Sequence, residues 1–308
     1  MAISFGIVAG CAMAAIVLAY AYFRRCTVTR PPIGVMNRVD VFIIAATIIL
    51  IPFVYLALPL WAISLIVMPS GLAIVYLTLE PLLKHRPLIW LCSLLLVSAD
   101  LAAAAVYGSG TGVFLAVNDL LVVVIVIGVS NLWVQSGMTA RHVTMLAAIV
   151  TLYDVIATSA LPLMSDLLGR LSRIPLAPFV AWNGSGPGLD LALGFGDLLM
   201  AATFALAIRK AYGHRAGATA VALALSGIVI ALGLVQYQVV GRVIPVMVIL
   251  GPLMVMQYLT WGRRRGAERT MLQYRTAERL AGQPPRRSAT TVSDLLVPTI
   301  QMTGGEKK

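Results

Sequence analysis

The sequence predicts an all-α polytopic membrane protein, and three observations carry that expectation. Of the 308 residues 60% are hydrophobic and only 11% charged, against about a quarter charged in soluble domains. The apolar residues fall in runs of about 20, the length that crosses a bilayer as a helix. The net charge of +11 lies in the connections and the C-terminal stretch, where it sets topology, so no nucleic-acid partner is expected.

Nine spans account for the runs: 4–23, 40–58, 62–80, 87–107, 111–133, 142–163, 188–208, 217–237 and 243–261. The first lacks the basic start of a cleaved signal peptide. Its charges, Arg24 and Arg25, follow the apolar run, so it is read as a retained span. The run from Val41 to Leu79 is too long for one helix. Pro52, Pro59 and Pro69 interrupt it, and a helix interior resists proline; a turn near Pro59 gives two spans. A tight turn at Gly108–Gly110 joins the fourth and fifth. Between the sixth and seventh lies the connection 164–187. Its segment Ile174–Trp182 is apolar and proline-broken, which suits an interfacial or re-entrant stretch. Asn183-Gly184-Ser185-Gly186-Pro187-Gly188 makes a flexible joint. Composition changes at Gly262. The chain therefore divides into a transmembrane domain, 1–261, and a basic cytoplasmic tail, 262–308, helical over 263–281 and disordered beyond.

With the N-terminus outside, 20 of the 23 lysines and arginines fall on the inner side. The positive-inside rule thus favours N-out, C-in. The arginine-rich usage points to a prokaryotic cytoplasmic membrane. Cys11, Cys26 and Cys92 are scattered, and His85, His142 and His214 show no ligand spacing, so no disulfide, metal or cofactor is expected.

Four acids interrupt the apolar spans: Asp100, Asp119, Asp154 and Asp197. No lysine or arginine accompanies them. A carboxylate in hydrocarbon costs several kcal/mol, and such residues mark functional sites. Asp154 lies nine residues before the end of its span and Asp197 nine after the start of the next. At about 1.5 Å per residue both sit roughly 13 Å deep. Asp100 and Asp119 pass the same depth test, each about 8 residues from the Gly108–Gly110 turn. Local sequence separates the pairs. Gly194 and Gly196 precede Asp197 and weaken the helix there. They leave bare backbone beside a carboxylate, which could pair with an extended substrate strand. Asp100 and Asp119 lack such context and are read as structural or polarity-tuning acids, with a water or proton path as the alternative.

Tyr153-Asp154 in one span, Gly194-Phe195-Gly196-Asp197 in the next, and Pro245 opening the last resemble the presenilin and signal peptide peptidase family of intramembrane aspartyl proteases. The resemblance covers the order of motifs over the whole bundle and is strongest over 150–250. It implies nine spans, with Asp154 and Asp197 as catalytic aspartates on the sixth and seventh. It also implies substrate contacts from Tyr153, Gly194, Phe195, Gly196 and the Pro245-Val246-Met247 segment, where the family carries Pro-Ala-Leu. The N-out orientation resembles the signal peptide peptidase branch, and the short 164–187 connection lacks the insertion in which presenilins cleave themselves. The implied partners are the lipid bilayer and a transmembrane-helix peptide as substrate. Prepilin peptidases share the Gly-x-Gly-Asp element but not the Tyr-Asp context or the proline-led last span. Two other readings stay open: a proton-coupled transporter, and a catalytically silent scaffold that binds transmembrane helices.

Overall fold

The computed structural model describes residues 2–28, 36–159, 163–183, 189–237 and 246–282. Long apolar runs become helices because a helix satisfies its own backbone polar groups. In chain order these are α1 (Ala2–Arg25), α2 (Arg38–Ala57), α3 (Leu60–Leu79), α4 (Arg86–Tyr107), α5 (Gly112–Gln135) and α6 (Ala140–Ser159). A short α7 (Leu163–Leu171) and two strands follow, β1 (Phe179–Trp182) and β2 (Leu191–Gly194). Then come α8 (Phe195–Tyr212), α9 (His214–Gln236), α10 (Met247–Arg265) and α11 (Met271–Gly282). Seven helices, α1 to α6 and α9, are long and apolar enough to cross a membrane. The chain is therefore an integral membrane protein, predominantly helical.

The expected turn near Pro59 is present: Leu58 ends α2 and Pro59 precedes the first residue of α3. Pro52 and Pro69 nevertheless lie inside those helices. Intramembrane helices tolerate proline where neighbours re-satisfy the freed carbonyl. Gly108, at φ +87°, ends α4 in a conformation that favours glycine.

α8 and α10 stand apart from the seven. α8 has 18 residues that include Asp197, Arg209 and Lys210, and α10 ends in Arg263, Arg264 and Arg265. α8 is the central element. Every residue from Leu198 to Tyr212 is buried, with α1, α5, α6, α9 and α10 packed around it. A helix that meets protein on all sides need not match lipid. Small residues make that crowding feasible: Ala201, Ala205 and Ala211 on α8, and Ala216, Ala220 and Ala224 on α9, are all nearly or fully buried.

The structure corrects two expectations, one between α6 and α8 and one at the end of α10. The seventh apolar run does not start as helix: residues 191–194 are strand, and the helix begins at Phe195. An all-α fold therefore acquires a small antiparallel sheet, with Phe179 facing Gly194 and Trp182 facing Leu191. The basic segment 263–281 is not one helix either. α10 runs to Arg265, Gly266 breaks it at φ +73°, and α11 starts at Met271. The Asn183–Gly188 joint lies outside the described residues from Gly184 on.

Candidate active site

Asp154 lies on α6, five residues before its last residue, Ser159. Its neighbours at helical spacing share its face: Val150, four before, and Thr158, four after, line the same cavity. Asp197 arrives differently. β2 runs straight into α8 with Gly194 at the junction, and Asp197 stands in the first turn of α8. A carboxylate there is favoured by the helix dipole and by the free N–H groups of the first turn. The span 188–208 puts Asp197 nine residues into a helix. Asp197 instead reaches the site at the top of a helix delivered by a strand.

Both aspartates open on one cavity of about 260 Å³, and the two carboxylates are near enough to interact electrostatically. Asp154 is 8% exposed. Tyr153, Thr158, Gly194, Phe195, Gly196 and Val246 join them in the lining. A β-carbon at Gly194 would come 3.1 Å from the Asp197 carboxylate, so the missing side chain gives that group its room. The Tyr153 and Thr158 hydroxyls are buried and have no hydrogen-bond partner among the described residues. Both are therefore available to a water or a bound peptide.

α10 completes the site through its backbone. The Met247 carbonyl accepts from the Thr151 hydroxyl at 3.1 Å. Thr151 stands three residues before Asp154 on α6. The first residue of α10 is thus tied to the helix that carries Asp154. The helices come close because Gly251 meets Thr151: a β-carbon at 251 would overlap the Thr151 hydroxyl. Met247 is fully buried and acts by its backbone, while Val246 faces the cavity. Pro245 lies outside the described residues.

Asp100 and Asp119 are far from idle. Asp100 accepts from the Leu176 N–H at 2.7 Å, and Asp119 accepts from the Ala181 N–H at 3.0 Å. Beside Asp119, Asn118 donates to the Ala177 and Phe179 carbonyls at 3.2 and 3.0 Å. These buried groups hold the segment 174–182 inside the bundle, where Ile174, Leu176, Ala177 and Val180 are also buried. Among the described residues no cluster of side chains could hold a metal ion. Thr151, Thr158 and Asn118 escaped the sequence reading. The threonines could have been found from their three- and four-residue spacing to Asp154; Asn118 had no signal beyond a polar residue beside Asp119.

No protein-family model and no curated protein matches this sequence.

Proposed function

We propose that this protein is an intramembrane aspartyl protease of the presenilin and signal peptide peptidase type. The observation that carries the reading is that Asp154 and Asp197, from separate helices, meet at one cavity that strand β2 also lines. Two carboxyls in one site cannot both ionise readily, so the pair shares one proton. The ionised partner takes a proton from a water that attacks the scissile carbonyl. The protonated partner polarises that carbonyl and then protonates the leaving amine. The Tyr153 hydroxyl orients the water or the peptide. The substrate is a transmembrane segment or signal-peptide remnant. It must unwind first, because helical peptide bonds are shielded, and β2 offers the backbone on which the unwound strand can lie.

In this reading α8 and α10 complete a nine-span bundle in a prokaryotic cytoplasmic membrane, with the N-terminus outside and α11 in the cytoplasm. The buried, lipid-shielded position of α8 supports its inclusion despite its charges.

The test is cleavage of a fluorogenic transmembrane peptide in liposomes by wild type, Asp154→Ala, Asp197→Ala and the double variant. Each single variant is expected to lose roughly 10²–10⁴-fold in kcat, and the double variant no more than either alone, because the pair acts as a unit. Wild type inert on a broad peptide panel, or a single variant that still cuts, would sink the reading.

A further inference from the structure

A two-stranded sheet has two outer edges, and an extended peptide can add to either unless something occupies it. In an antiparallel pair, residues alternate between those bonded to the partner strand and those whose N–H and C=O point away. The register sets Phe179 opposite Gly194 and Ala181 opposite Ala192. The outward groups of β1 are found by their contacts: the Phe179 carbonyl takes the Asn118 amide, and the Ala181 N–H goes to Asp119. Asn118 is fully buried and Asp119 is 2% exposed. Because Ala181 pairs with Ala192, the polar groups of Ala192 also point away from the partner strand, out of the other edge. That edge borders the cavity: Ala192 and Gly194 line it together with the aspartates. Among the described residues no side chain bonds Ala192.

We propose that Asn118 and Asp119 are positioning residues: they seal the outer edge of β1, leaving β2 as the single edge on which a peptide strand can dock beside Asp154 and Asp197. The proposal rests on the protease reading for its substrate, but not for the seal itself. The chemistry is complementary. Asn118 supplies a donor for a carbonyl and Asp119 an acceptor for an N–H, so two adjacent residues of α5 stand in for a third strand. Asp100 supports the same segment upstream by holding the N–H of Leu176, whose φ of +54° is unusual for a residue with a side chain. The role of Asp119 is therefore to accept a hydrogen bond, and its charge is dispensable.

The experiment compares Asn118→Leu, Asp119→Leu and Asp119→Asn in liposomes by two readouts. One is the KM, kcat and pH profile for a fluorogenic transmembrane peptide. The other is amide hydrogen exchange over residues 177–182 without substrate. Both leucine variants are expected to lose exchange protection and to raise KM by about tenfold per lost bond. Their kcat should stay within about twofold of wild type, with its pH profile unmoved. Asp119→Asn keeps an acceptor oxygen and should restore both protection and KM. Asp119→Asn as impaired as Asp119→Leu would overturn the proposal in favour of a proton-carrying acid, as would a displaced pH profile. This arm also stands if the leucine variants fail to fold. A wild type that cuts and leucine variants that keep KM would overturn it too. A wild type that never cuts, with protection still dependent on Asn118 and Asp119, refutes the protease reading and leaves the seal intact.

Discussion

Asp154 and Asp197 come from different backbone contexts, one from a helix face and the other from a strand-to-helix junction. The first residue of α10 is bonded to the helix that carries Asp154. The strongest single-residue expectation concerns Tyr153. Its hydroxyl is buried, at the cavity wall and without a partner among the described residues. Removing an unsatisfied buried hydroxyl relieves a desolvation cost, so Tyr153→Phe should leave stability unchanged or raise it by up to about 1 kcal/mol. If the hydroxyl orients the attacking water or the peptide, kcat should fall by about tenfold. Thermal unfolding and kcat measured on one preparation separate the two effects. A stable variant with full activity would reduce Tyr153 to packing.

Among the elements, the α6–α10 contact decides the site's geometry. Thr151 and Gly251 meet across the two helices, and the same threonine bonds the Met247 carbonyl. A methyl group at 251 has no space. Gly251→Ala should therefore cost about 1–3 kcal/mol, as overpacking does. It should also cut activity by displacing the cavity-lining Val246 at the start of α10. Thr151→Ala removes the overlapping hydroxyl. The double variant Gly251→Ala/Thr151→Ala is thus expected to recover most of the stability but not the Thr151–Met247 bond. Melting temperatures of the four proteins in one detergent give the coupling energy. Additive losses would show that the two residues do not clash.

At the scale of the whole molecule, the segment after α10 closes the bundle at the end remote from the aspartates. Glu268 accepts from the N–H groups of Ala140 and Arg141 at 2.8 and 2.9 Å, capping the start of α6. Its neighbour Arg269 donates to the Ala211 and Arg209 carbonyls at the end of α8. Two consecutive residues therefore secure both helices that bear the aspartates. α11 is docked by Arg209, buried in α8, which donates to the Tyr274 hydroxyl and to Glu278 at 2.9 and 2.7 Å, while Tyr274 donates to Glu278 at 2.8 Å. Burial alone would raise the Glu278 carboxyl, but the bonds from Arg209 and Tyr274 outweigh it and hold it below the ordinary carboxylate range. A depressed carboxyl contributes stability that is fully present above its unfolded value and is lost as pH falls through its folded value. Protection of the α11 amides from hydrogen exchange should accordingly be constant near neutrality and decline only below the ordinary carboxylate range. Glu278→Gln should be less protected at neutral pH and lack that decline. Identical pH curves for the two proteins would exclude Glu278 as the anchor.

The sequence makes the membrane-protein class legible, because runs of about 20 apolar residues admit few structures other than helices in lipid. It located the break at Pro59, and it singled out Asp154, Asp197 and the glycines around Phe195, because a polar residue in an apolar run needs a reason. It did not reveal that residues 179–182 and 191–194 pair. Leu191-Ala192-Leu193-Gly194 reads equally well as the start of a span, and strand pairing is a contact between segments that local pattern does not encode. Nor did it show the partners of Asp100 and Asp119, whose hydrogen bonds reach 76 and 62 residues along the chain. Those roles, and the bond from Thr151 to the Met247 carbonyl, exist only once α4, α5, α6 and α10 are packed. Tertiary structure decided them because a buried polar group takes its meaning from the partner that satisfies it.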